Sequence, residues 1–160
     1  MKKIIAIGML SALLLAGGCA RASKPKAFVL PRCHARIVCA EEQFDAVLNF
    51  AAKPQKVILK TQQNAFDTLY LFEKDSVILR YDNIQTQLNI NALPDTNIAT
   101  LLYKLINAVQ AGEGKWERTQ TGFSFCGKVN GTAFSAKCDG SGQLLECEVP
   151  EYQFYCKTVN

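Results

Sequence analysis

The sequence predicts an α+β fold: a curved, mostly antiparallel sheet of about ten strands, half-barrel-like, with one amphipathic helix packed on its concave face. Three observations lead there. Apolar residues alternate with period two over most of the chain, the spacing of strands with one buried face. Turn-forming residues separate these runs at intervals that return each strand beside its predecessor. Between Ile98 and Val109 the period switches, once, to that of a helix.

The first hairpin centres on Glu41-Glu42. Cys33, Ala35, Ile37 and Cys39 share one parity; Phe44, Ala46, Leu48 and Phe50 share another. A tight turn there sets Cys39 opposite Phe44 and Ile37 opposite Ala46, with both sets on one face. A turn at Lys53-Pro54 sets Phe50 opposite Val57 and Leu48 opposite Leu59. Turns at Lys74-Asp75 and Asp82-Asn83 set Tyr70 opposite Leu79, Phe72 opposite Val77, Tyr81 opposite Ile84 and Val77 opposite Leu88. Gln85, Gln87 and Asn89 fall on the other face. Each closure agrees with the one before, and agreement between levels outweighs any single propensity.

The helix follows the sixth strand. Asp95, Thr96 and Asn97 offer an N-cap. Ile98, Leu101, Leu102, Leu105 and Val109 form one apolar stripe, and Gly112 suits the C′ position. Strands resume after Gly114. Asn130-Gly131 is the signature of a type I′ hairpin and sets Phe123 opposite Cys138 and Phe125 opposite Ala136. Asp139-Gly140-Ser141-Gly142 turns the chain again, setting Leu145 opposite Ala136 and Cys147 opposite Phe134. A loop near Pro150-Glu151 leads to Tyr152, Phe154 and Cys156. Hairpin-linked strands with one apolar face must cover that face or curl around it.

Length and charge narrow the function. At 160 residues one domain is expected. Hydrophobic residues at 49% and charged residues at 20% exclude a disordered tail and a multi-span membrane protein. The formal charge of +4 falls to +2 once Lys2 and Lys3 leave with a leader peptide. That is too weak for a nucleic-acid partner, and no basic stripe is present.

Residues 1–18 read as a lipoprotein signal peptide: Lys2-Lys3, an apolar run from Ile4 to Leu15, then small residues before Cys19. The run is too short to span a bilayer core of about 30 Å as a helix. Ala16-Gly17-Gly18-Cys19 resembles the bacterial lipobox, although Ala16 stands where Leu is usual and Leu15 lies one place further back. The resemblance implies a diacylglycerol on the Cys19 thiol and cleavage before it. It also implies a protein held to the extracytoplasmic face of the cell membrane. Each buried acyl methylene contributes about 0.8 kcal/mol to such an anchor. Residues 19–26 then form a short basic tether, and 27–160 a single domain.

The order of lipobox, meander, amphipathic helix and closing meander resembles the half-barrel of bacterial lipid and lipoprotein carriers of the LolA/LolB and LppX/LprG type, over Phe28 to Tyr155. Those carriers usually have more than one lid helix, and one is read here. Asp82-Asn83 and the Leu93-Pro94 step before the helix resemble small Gram-positive lipoproteins with no assigned activity. The carrier resemblance implies an apolar groove for a lipid, acyl chain or other apolar ligand, lined here by Leu48, Leu59, Tyr70, Leu79, Leu102 and Leu105. The alternative is a filled core, with a structural or protein-interaction role carried by the outer surface. Both demand apolar residues at these positions, so the sequence leaves the two open.

Six cysteines follow Cys19: 33, 39, 126, 138, 147 and 156. An even count in an exported protein invites disulfides. Cys33 and Cys39 are about 20 Å apart along one strand. Disulfide Cα atoms lie about 4.4 to 6.8 Å apart, so these two cannot bridge. Cys147 and Cys156 match in parity across the last hairpin and form the candidate pair. The other reading makes the cysteines small buried hydrophobes. Catalysis finds little support. Cys33 and His34 are strand neighbours pointing to opposite faces. No Cys-x-x-Cys and no Gly-x-Ser-x-Gly elbow occurs, and His34 is the single histidine. No catalytic residue, cofactor or metal ligand is assigned. Trp116 and Tyr103 read as packing aromatics.

Overall fold

The computed structural model describes residues 24–61 and 67–159. The signal peptide, Cys19 and the first half of the tether lie outside the described residues. The alternating runs form eleven strands, where the pattern suggested about ten: β1 Cys33–Cys39, β2 Glu42–Asn49, β3 Gln55–Thr61, β4 Thr68–Glu73, β5 Ser76–Tyr81, β6 Ile84–Asn89, β7 Gly114–Arg118, β8 Gly122–Val129, β9 Thr132–Asp139, β10 Leu144–Val149 and β11 Phe154–Val159. One α-helix, α1 (Ile98–Ala111), follows β6. The strands make a single open sheet in the order β6-β5-β4-β3-β2-β1-β11-β10-β9-β8-β7. Two meanders therefore meet where the first and last strands pair, with Ile37 opposite Cys156. The helical crossover joins the two edge strands, β6 and β7.

Three of the expected registers hold residue for residue. Phe72 faces Val77 and Tyr70 faces Leu79; Tyr81 faces Ile84 and Val77 faces Leu88. Phe123 faces Cys138 and Phe125 faces Ala136, with Asn130 at φ 52 and Gly131 at φ 83 as a type I′ turn requires. α1 starts and ends where expected too. The Asn97 side chain accepts from the Thr100 N–H at 3.1 Å, and Gly112 at φ 74 closes the last turn.

Three registers differ, the first two by two residues, which keeps the same residues inside. Ala40 takes φ 54, so the first turn is Ala40-Glu41; Cys39 then faces Glu42, and Ile37 faces Phe44 rather than Ala46. The chain between β2 and β3 is a five-residue loop, not a tight turn at Lys53-Pro54; Leu48 faces Val57 and Ala46 faces Leu59. Phe50 leaves the ladder yet remains buried. The third difference has a larger consequence. A bulge between Leu144 and Glu146 sets Cys147 opposite Ala136 rather than Phe134. Leu144 thereby turns inward at 0% exposure and Leu145 outward at 38%, the reverse of the expected facing.

The sheet is long enough for its twist to wrap the helix. Neighbouring strands rotate by about 20–25°, so the seven steps from β4 to β8 turn the strand direction by about 140–175°. Hairpin turns from both sides of the sheet accordingly reach α1. The Tyr103 hydroxyl donates to the Lys74 carbonyl in the β4–β5 turn at 3.3 Å, and the Lys104 ammonium donates to Asn130 Oδ1 in the β8–β9 turn at 3.1 Å. α1 buries Thr100 and, on its apolar face, Ala99, Leu101, Leu102, Leu105, Ile106, Ala108 and Val109. At about 100° per residue these cover half its circumference. The single stripe expected from the sequence is therefore only the middle of a wider buried face.

Candidate functional site

The residues that would line a carrier groove meet in one place. Leu48, Leu59 and Tyr70 point inward from β2, β3 and β4, because strand parity and the observed registers put them on the face that α1 covers. Leu102 and Leu105 descend from the helix. Leu48, Leu102 and Leu105 are 0% exposed, and Leu59 and Tyr70 are 7% exposed. Leu79 is partly buried against the same cluster. A side chain with no surface that a water-sized sphere can touch, from outside or from a void within, is in contact with protein all round. Aromatic rings complete the filling. Phe72 and Tyr103 stack at 4.4 Å, and Trp116, Phe125 and Phe134 form a chain with centroid separations of 4.9 and 5.7 Å. The apolar inner face is a core at these positions.

Five of the six described cysteines also belong to this inner side; Cys126 alone points outward and is exposed. All six are thiols in the structure. Cys33 and Cys39 stand at opposite ends of β1. Cys147 lies directly opposite Cys156, and the two thiols are within hydrogen-bonding reach. That hydrogen bond and complete burial push the Cys147 thiol well above its ordinary value. Burial pushes Cys138 up to about 12 and Cys33 to about 11. Buried, protonated thiols are poor nucleophiles. His34 sits on the outer face of β1, four strand spacings or about 19 Å from Cys126 on β8, so the exposed thiol and the histidine do not pair.

The outer face of the sheet differs from side to side. Across β7–β10 it is mostly polar, with Leu145 the exposed apolar residue of β10. Lys115, Cys126, Ser135 and Glu148 lie side by side in register, and the Ser135 hydroxyl donates to Glu148 Oε1 at 3.0 Å. An open cleft of ≈ 610 Å³ lies over Cys126, Ala133 and Pro150. One row away, Glu146 accepts from the Lys137 ammonium and, at 2.7 Å, from the Tyr155 hydroxyl. Lys137 first, then Tyr155, holds the Glu146 carboxyl below its ordinary value. The same hydrogen bond pushes the Tyr155 hydroxyl up to about 12.

Across β2–β5 the outer face is apolar at its centre. Val47, Ile58 and Leu69 form one row in register, and Leu71 and Ile78 the next. Val47 is 7% exposed, and the other four are partly exposed. Alternation on the inward parity alone does not reveal this face. Its signal was present: Val57-Ile58-Leu59, Leu69-Tyr70-Leu71-Phe72 and Val77-Ile78-Leu79 are apolar on both parities, as in strands covered on both sides.

No protein-family model matches the chain, and no curated protein is significantly similar to it.

Proposed function

We propose that this is a non-enzymatic lipoprotein, tethered to the extracytoplasmic face of the cell membrane through Cys19, whose domain holds no internal ligand and acts through its outer surface. The observation that supports it is the close packing of Leu48, Leu102 and Leu105 at 0% exposure beneath and within α1. A carrier gains affinity by burying its ligand's apolar area at about 25 cal/mol per Å², and here protein side chains already bury that area. The carrier reading, with a lipid or other apolar ligand between α1 and the sheet, is the second reading; the half-barrel-like architecture favours it.

Mass spectrometry of the membrane-extracted protein separates these possibilities. The expected result is an acylated Cys19 peptide, together with a native mass of the Cys19→Ala chain that carries no bound lipid. Unmodified Cys19 in the wild type would remove the anchor. One lipid per Cys19→Ala chain would remove the filled-core reading and restore the carrier.

A further inference from the structure

The apolar outer face of β2–β5 has no role in a filled core. α1 covers one side of these strands, yet both sides carry apolar residues. We propose that this outer face lies on the anionic surface of the membrane that holds Cys19. Ile58, Leu69, Leu71 and Ile78 sit at the boundary of headgroups and acyl chains, and Lys56 and Arg80 lie among the lipid phosphates. The inference rests on lipid anchoring through Cys19.

Charge selects a membrane over a second copy of the chain. Lys56 stands beside Leu71, and Arg80 beside Leu69, in the same rows as the apolar residues. Their aliphatic stems extend the apolar surface while their charged heads reach anionic groups. The carboxylates nearby are mostly answered within the chain: Asp45 lies 3.8 Å from Arg36 and Asp67 3.3 Å from Lys60, while Glu73 stands at the end of β4. The centre of the face is therefore positive. A two-fold dimer through it would press like charges together, whereas an anionic bilayer meets them with opposite charge.

Reach permits the contact. The chain is first fixed to the domain at Pro25, which is buried beside Gly142 in the turn before β10. Six residues from Cys19 to Pro25 extend to about 21 Å at most. The sheet from β10 to β3, which carries Lys56 and Ile58, is four strand spacings wide, about 19 Å. Anchor and the β3 side of the face can thus engage one membrane together. The tether makes the second contact intramolecular, so a weak patch suffices.

The test uses the full-length protein in vesicles of phosphatidylethanolamine and phosphatidylglycerol with brominated acyl chains. Leu69→Trp and Ala133→Trp place a probe on each outer face, with wild-type Trp116 as the background. Leu69→Trp is expected to shift to the blue and to be quenched at least twofold more than the background. Ala133→Trp is expected to be quenched no more than the background. Adding Arg80→Glu, or raising the salt concentration, should weaken quenching at position 69. Equal quenching at both positions, or none at 69, would overturn the proposal. So would a solution dimer that Leu69→Glu dissolves, which would place a second copy on the face. The mass of the Cys19 peptide is read in parallel. Acylated protein without quenching at 69 removes the face and leaves the anchor. Unacylated protein still quenched at 69 at high lipid concentration removes the anchor and leaves the face.

Discussion

Ile58 and Ser135 both point outward from middle strands of one sheet, and both stand opposite a residue of the next strand. Around Ile58 the neighbours are Val47 and Leu69; around Ser135 they are Cys126 and Glu148. The inward neighbours of the two are alike: Val57 and Leu59 on one side, Phe134 and Ala136 on the other, all 7% exposed or less. The pleat forces the inner residues of both wings to be apolar, because α1 and the twisted sheet share one core. It places no such demand on the outer face. A difference confined to that face is therefore not required by folding, and it is where an interaction surface is best sought.

The largest expected effects test the shared interior. Leu102→Ala should cost about 2–5 kcal/mol and Phe125→Ala about 3–5 kcal/mol in urea unfolding, since each leaves a cavity in a closely packed core. Values this large in both would show that the wings are equivalent inside. A small loss for Leu102→Ala alone would mean open space under α1 and would revive the carrier.

An intermediate effect tests the outer contrast. Val47→Asp places a carboxylate at a 7% exposed position between His34 and Ile58 and should cost about 3 kcal/mol. Cys126→Ser on the other wing should stay within about 0.5 kcal/mol. Equal costs would erase the distinction between the two faces.

The smallest effect sharpens the polar side through pH. Glu146 has its carboxyl lowered from an ordinary 4.5 by Lys137 and Tyr155. A group lowered on folding contributes stability above its unfolded value and loses it as pH falls through the folded value. Glu146→Gln should therefore cost about 0.5–1 kcal/mol at pH 6. The difference from wild type should vanish as the pH is taken well below 4.5. Urea titrations of both proteins at pH 6 and pH 3 give the comparison.

By itself the sequence determined the class of fold, the hairpins at Lys74-Asp75, Asp82-Asn83 and Asn130-Gly131, and the limits of α1. These are local matters: period, turn chemistry and caps act within a few residues. It also placed Leu48, Leu59, Tyr70, Leu102 and Leu105 on one apolar surface. Whether that surface was a groove or a core was not legible, because water is excluded by how far the sheet curls and how many sides of α1 it touches. Only the tertiary structure decided the complete burial of Leu48, Leu102 and Leu105, by pairing β1 with β11 across the chain and carrying the twist through eleven strands. It decided smaller things for the same reason. Ala40 carried no turn signature yet took the left-handed conformation, and a bulge exchanged Leu144 for Leu145. Shifts of two residues cost the alternation nothing, so period alone could not detect them, whereas packing against the neighbouring strand could.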